Sequence, residues 1–252
     1  MLEFFQSFHL SGNDWFWIIL CALCVGMGKV GLSGLGMFIV PVLASVFGAK
    51  PSTGILLPML IMGDIMGVVY YHRHADLKLL LKLAPATVVG ILIGVYVGDL
   101  INSDQFRTLL AVIILSGVVI MVWNERKNAA KAIPHNWFFA SFAGLLGGFT
   151  TMIGNAAGPV MTIYFLSMNL KKNNFIGTSA WFFLLVNVFK VPFHILNWET
   201  ITTRTFLFDL SLLPVIILGA VVGIFIVRLI PERPYRIFII ISIVFAAVKL
   251  FV

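Results

Sequence analysis

Eight apolar segments, at 15–47, 53–71, 79–98, 105–123, 136–168, 176–195, 206–227 and 235–252, alternate with short stretches that hold most of the charge. Most reach the ~20 residues that a helix needs to span a bilayer. Once they are placed, nothing in the 252 residues remains for a soluble domain. Charged residues make up 11% of the chain, against about 25% in soluble domains. The pattern predicts an all-α polytopic membrane protein. Its +7 balance collects at 72–82, 124–135, 171–172 and 228–236. That suits loops facing a cytoplasm, not a nucleic-acid surface. The N-terminus has one formal charge before Asp14, at Glu3, and no small-residue cleavage site, so it does not read as a signal peptide.

Two of the segments are built differently. Residues 15–47 contain Gly26, Gly28, Lys29, Gly31, Ser33, Gly34 and Gly36. Residues 137–168 contain Gly147, Gly148, Thr150, Thr151, Gly154, Asn155 and Gly158. A 33-residue helix would be about 50 Å long, against a hydrocarbon core of about 30 Å. Each stretch is therefore expected to break at mid-membrane into a re-entrant or tight hairpin.

These stretches belong to a duplication. A shift of 122 puts Trp15-Phe16 on Trp137-Phe138, Gly26 on Gly148 and Gly36 on Gly158. At 123, Gly54 falls on Gly177 and Asp64 on Asn187. At 129, Pro85, Gly90 and Gly94 fall on Pro214, Gly219 and Gly223, and Arg107 falls on Arg236. Residues 1–125 and 126–252 thus read as two transmembrane repeats of four apolar segments in one transport domain.

The basic residues indicate how the repeats are oriented. If each first segment goes in and comes back, only Lys50, Arg107 and Arg204 lie on one side. Eleven lie on the other: Arg73, Lys78, Lys82, Arg126, Lys127, Lys131, Lys171, Lys172, Arg228, Arg233 and Arg236. A single crossing of that segment would split them evenly. The bias favours inverted repeats with both termini outside the cytoplasm, a transporter design that binds substrate at the repeat interface.

The candidate site follows from that layout. Lys29, Ser33, Thr150, Thr151 and Asn155 fall at the hairpin turns, where unwound backbone must be buried or line a cavity. Half-helix N-termini there attract anions, and Gly31, Gly34, Gly36, Gly154 and Gly158 would let one approach the backbone. The alternative is that these glycines only permit close helix packing. Asp64 and Asn187 lie midway along equivalent apolar segments. An intramembrane carboxylate marks a functional site by default, so Asp64 is the proton-coupling candidate; a helix-tying hydrogen bond is its plainer role. Lys190, one turn beyond Asn187, would add positive potential or lie near the membrane surface. Thr178 and Ser179 either cap a helix or face the site.

Other chemistries find little support. Cys21 and Cys24 form a CxxC in an apolar run without a nearby histidine, which suits packing more than metal or redox work. No metal-ligand spacing links the five histidines, and His72, Arg73 and His74 suit a helix C-terminus. No phosphate-binding glycine motif is present, and no catalytic triad or carboxylate pair assembles. No enzyme, metal or cofactor is expected.

The two halves carry Gly34-Leu-Gly36-Met-Phe-Ile-Val-Pro41 and Gly154-Asn155-Ala156-Ala157-Gly158-Pro159, with Gly177-Thr178-Ser179-Ala180 after the second. Over nearly the whole chain this resembles the TauE/SafE sulfite exporter family. The resemblance implies ATP-independent anion transport through a bacterial-type inner membrane, with sulfite, a sulfonate or a carboxylate as substrate. The family's run of adjacent glycines is interrupted by Leu35 and replaced by Asn155-Ala156-Ala157, which points to a divergent member. A passive anion channel and a subunit of a larger assembly are the alternatives; a homodimer stays open.

Overall fold

A computed structural model describes residues 8, 10–29, 35–71, 74–127, 137–168, 170–226 and 241. Their regular structure is helical: α1 (Gly12–Lys29), α2 (Leu35–Phe47), α3 (Ala49–Tyr71), α4 (Leu77–Leu100), α5 (Ser103–Lys127), α6 (Trp137–Gly154), α7 (Gly158–Ser167), α8 (Lys172–Leu196), α9 (Thr203–Ser211) and α10 (Leu213–Ile226). Five helices, in α3, α4, α5, α6 and α8, are long and apolar enough to cross a membrane. The pair α9 and α10, bent by 43°, makes a sixth when counted as one span. The eighth apolar segment lies outside the described residues, as do Gly31, Ser33, Gly34, His72 and Arg73.

Neither long first segment is a single helix. The second breaks at 155–157, where Asn155 takes φ 52°. Asparagine tolerates this left-handed conformation better than most residues, and so ends helices. The chain resumes as α7, with Pro159 in its first turn. In the first segment α1 ends at Lys29 and α2 begins at Leu35; residues 30–34 lie outside the described ones.

Glycines then set how the helices meet. A Cβ on Gly148 would overlap Thr87 O, and one on Gly90 would overlap Leu145 O, so α4 lies directly on α6. A Cβ on Gly26 would overlap Ile216 O, and one on Gly219 would overlap Leu23 O, so α10 lies on α1 in the same way. The two contacts are related by the shifts read from the sequence: Leu23 to Leu145 is 122, and Thr87 to Ile216 is 129. The third apolar segment of each half thus packs on the first segment of the other.

Helices α3 and α8 pass between these pairs and run antiparallel. Gly54 meets Thr200, Gly67 meets Ala180, and Gly177 meets Tyr71 and His74. At one end, Lys50 and Phe106 both pack on Trp198. At the other, the Asp76 N–H donates to Thr178 Oγ1 at 2.9 Å. The apolar interior divides into two clusters, one centred on α1, α2, α3 and α5, the other on α4, α6, α7 and α8. Val69, Leu81, Val119, Phe138 and Leu218 are exposed on the outside, as expected where the solvent is hydrocarbon.

Candidate functional site

A chain of polar side chains crosses the centre where α3 and α8 meet. Lys29, the last residue of α1, places Nζ 2.7 Å from Asp64 Oδ1 on α3. The distance is that of an ion pair. Asn187 Nδ2 on α8 donates to Asp64 Oδ2 at 2.7 Å. One turn further along α8, Lys190 Nζ donates to Thr151 O and Thr151 Oγ1, both at 3.0 Å, and to Asn155 Oδ1 at 2.6 Å. Asn155 Nδ2 closes the path by donating to Thr53 O on α3 at 3.1 Å.

Asp64 and Lys190 are fully buried, and Asn187 is buried with them. An ammonium has three N–H donors, and Lys190 faces three acceptors, all of them neutral. The network therefore holds two lysines against one carboxylate, a formal excess of one positive charge. Burying an uncompensated charge is unfavourable, so the arrangement is complementary to an anion.

The space for that anion shows in the glycines. Most described glycines between helices touch a neighbour. Gly36 and Gly158, equivalent under the shift of 122, meet nothing among the described residues within 4 Å of where a Cβ would stand. Each lies in the first turn of a short half-helix, α2 or α7. The N-terminus of α7 has no side-chain cap, and free N–H groups at such ends bind anions.

The other expected site residues are distributed as follows. Gly154 packs against Leu110 and is a packing glycine. The Thr150 hydroxyl donates within its own helix to Leu146 O at 2.8 Å. Thr178, at the end of α8 remote from Lys190, accepts from the Asp76 N–H of the loop before α4 and does not cap α8, which starts at Lys172. Ser179 lies on the same first turns of α8, half-buried. Lys190 is deep in the protein, not at a surface. Cys21 and Cys24 are buried free thiols in the apolar core.

Thr53 was not anticipated, because it takes part through its backbone carbonyl, which no side-chain pattern reveals. Asp209 in α9 is a further intramembrane carboxylate, fully buried with neither oxygen hydrogen-bonded. Its position inside the apolar run 206–227 was the available signal.

No curated protein and no solved structure matches the chain. The model of one protein family, described as sulfite exporter TauE/SafE, matches residues 18–250. That match covers nearly the whole length: the chain belongs to the TauE/SafE sulfite exporter family.

Proposed function

We propose that the protein is a secondary transporter that exports sulfite or a related small organosulfur or carboxylate anion. The excess positive charge of the network, beside the open positions at Gly36 and Gly158, carries this reading. The anion binds between the half-helix N-termini of α2 and α7, with Thr151, Asn155 and backbone N–H groups as donors. To be neutralised by the lysines it competes with Asp64 for Lys29 and with Asn155 for Lys190. Either exchange loosens a hairpin from the central helices, which links binding to movement. Protonating Asp64 would also free Lys29, and gives a proton gradient a way in. Asp64→Asn should then flatten the pH dependence of transport; an unchanged profile removes Asp64 from that role.

The reading includes inverted repeats. The second segments, α3 and α8, run antiparallel, and the starts of α3 and α5 share one end of the molecule with the end of α8. That end carries Lys50, Arg107 and Arg204, the basic minority, and would face away from the cytoplasm of a bacterial-type inner membrane.

The test is ligand-dependent thermal stabilisation of the purified protein by sulfite, sulfate, thiosulfate, sulfonates, short carboxylates and cations. Stabilisation by one anion, much reduced in Asn155→Ala, is the expected result. A response to cations alone, or to nothing, refutes an anion site at the hairpins.

A further inference from the structure

Beyond the central network, the end of α8 carries two buried N–H-bearing rings without partners. His194 lies one turn past Lys190 (i, i+4), on the same side of the helix, and is fully buried. Its Nδ1 is 2.8 Å from Thr200 Oγ1, and its Nε2 has no hydrogen-bond partner. The indole of Trp198 stands edge-on to it, ring centroids 5.0 Å apart, and Trp198 Nε1 is also buried and unpartnered. When the Thr200 hydroxyl donates to Nδ1, Nε2 carries the proton and becomes a donor. Indole nitrogen is a donor only. The Thr200 hydroxyl also lies 3.4 Å from His194 O, but the shorter contact is to Nδ1. With the hydroxyl donating there, two desolvated donors stand together and neither meets an acceptor among the described residues.

Lys50 supplies charge at the same place. Its Nζ lies 4.9 Å from the centre of the Trp198 ring and donates to Gly98 O at 2.7 Å. Its side chain is 27% exposed, so the cluster reaches solvent there. The nearby acid is Asp99, 3.6 Å from Lys50 Nζ and itself 40% exposed. A Cβ on Gly98 would overlap the Trp198 ring, which fixes the indole against α4.

The cluster also adjoins the central site. Lys190 holds Asn155, and Asn155 donates to Thr53 O. The next residue, Gly54, packs on Thr200, the partner of His194. The path returns along α8 to Lys190.

We infer that His194 Nε2, Trp198 Nε1 and the Lys50 ammonium form a second anion site, a waiting position between the solvent at the Lys50 end and the clamp made by Lys190 and Asn155. Its ligand is a small oxyanion able to accept two hydrogen bonds, of the sulfite, sulfonate or carboxylate class. The assignment deepens the transporter reading and rests on it for its purpose, though not for its chemistry.

Indole emission tests the site directly. Sulfite, methanesulfonate and acetate are titrated into the purified protein, and the Trp198 signal is taken as the difference between a protein and its Trp198→Phe counterpart. At least one anion should change that signal both in the wild type and in Asn155→Ala, where the central site is lost. His194→Gln should weaken the response about tenfold, the loss expected for one hydrogen bond to a charged group. Phe106→Leu, which alters the packing on Trp198 without removing a donor, should leave the affinity unchanged. If Trp198→Phe does not fold, the total emission of His194→Gln against wild type decides. No response to any of the three anions overturns the site, and water then satisfies both rings. A response that disappears in Asn155→Ala also overturns it, because the signal then comes from the central site. A response that persists in a protein moving none of these anions refutes the transporter reading and leaves the site standing.

Discussion

Replacing Asn155 separates what its side chain does from what its backbone does. Oδ1 accepts from Lys190 at 2.6 Å and Nδ2 donates to Thr53 O at 3.1 Å. A hydrogen bond to a charged group is worth about 1.5–3 kcal/mol and a neutral one about 1 kcal/mol. The φ of 52° adds a backbone penalty for alanine, of about 1 kcal/mol. Asn155→Ala should therefore destabilise the protein by about 4 kcal/mol. Glycine adopts this backbone freely, so Asn155→Gly should recover about 1 kcal/mol of that loss. The assay is reversible denaturant unfolding in mixed micelles, run beside anion-dependent thermal stabilisation. Both variants should lose most of the anion-dependent stabilisation, the part that comes from the central site. If Asn155→Gly unfolds within about 0.5 kcal/mol of wild type, the two bonds carry less than their ordinary weight and the clamp is refuted. If alanine and glycine behave alike, the left-handed turn is not what ends α6.

Four other perturbations follow from the packing. Gly26→Ala and Gly148→Ala drive a methyl into neighbouring backbone and should lower the unfolding midpoint sharply, as overpacking does at about 1–3 kcal/mol or more; Gly36→Ala and Gly158→Ala should keep the midpoint and lose anion-dependent stabilisation. Lys29→Met leaves Asp64 buried without its cation and should cost about 3–5 kcal/mol; adding Asp64→Asn should restore much of it, and a double-mutant cycle in the same unfolding assay measures the coupling. Asp209→Leu removes a buried carboxyl with no hydrogen bond and should stabilise the protein by about 1–3 kcal/mol; a loss of stability would show that the carboxyl is held. Adding Gly67→Lys to Lys29→Thr should regain part of the anion response, which a double variant no better than Lys29→Thr alone would exclude.

Much of this architecture is legible in the sequence because membrane helices advertise themselves by length and hydropathy. The duplication was visible because glycines at helix crossings are irreplaceable: Gly26, Gly90, Gly148 and Gly219 each sit where a Cβ would overlap backbone. The same property hides the binding glycines. Gly154 packs on Leu110 while Gly158 faces open space, and no spacing distinguishes a glycine kept for contact from one kept for access. Asp64 and Asn187 were legible as a pair because their alignment put them at one register of α3 and α8. Their direct hydrogen bond needed the two helices to be antiparallel and in contact. Thr150 misleads for a local reason. Threonine near a helix end readily bonds back into its own turn, so its hydroxyl does not reach the hairpin tip.

Alignment of the halves also conceals that the two lysines are counterparts. In sequence, Lys29 falls on Thr151 (29 + 122), and Lys190 falls on Gly67 (190 − 123). Neither lysine has a lysine as its equivalent, so each looks like an isolated accident. In space, the Lys29 carbonyl stands 3.5 Å from where a Gly67 Cβ would be, and the Thr151 carbonyl accepts from Lys190. These are the same contact in the two halves, first hairpin against central helix. One lysine bridges it each time, entering from the hairpin in the first half and from the helix in the second. The exchange has a steric reason. Lys29 lies over Gly63, where a Cβ would come 2.9 Å from its Cγ. The second hairpin gives Lys190 a threonine, an asparagine and a backbone carbonyl to hold. Each hairpin is thus tied to the centre by one cation, and Asp64 faces one of them. On the proposed reading, an anion arriving between the hairpins would meet both lysines, of which Lys29 is already paired with Asp64.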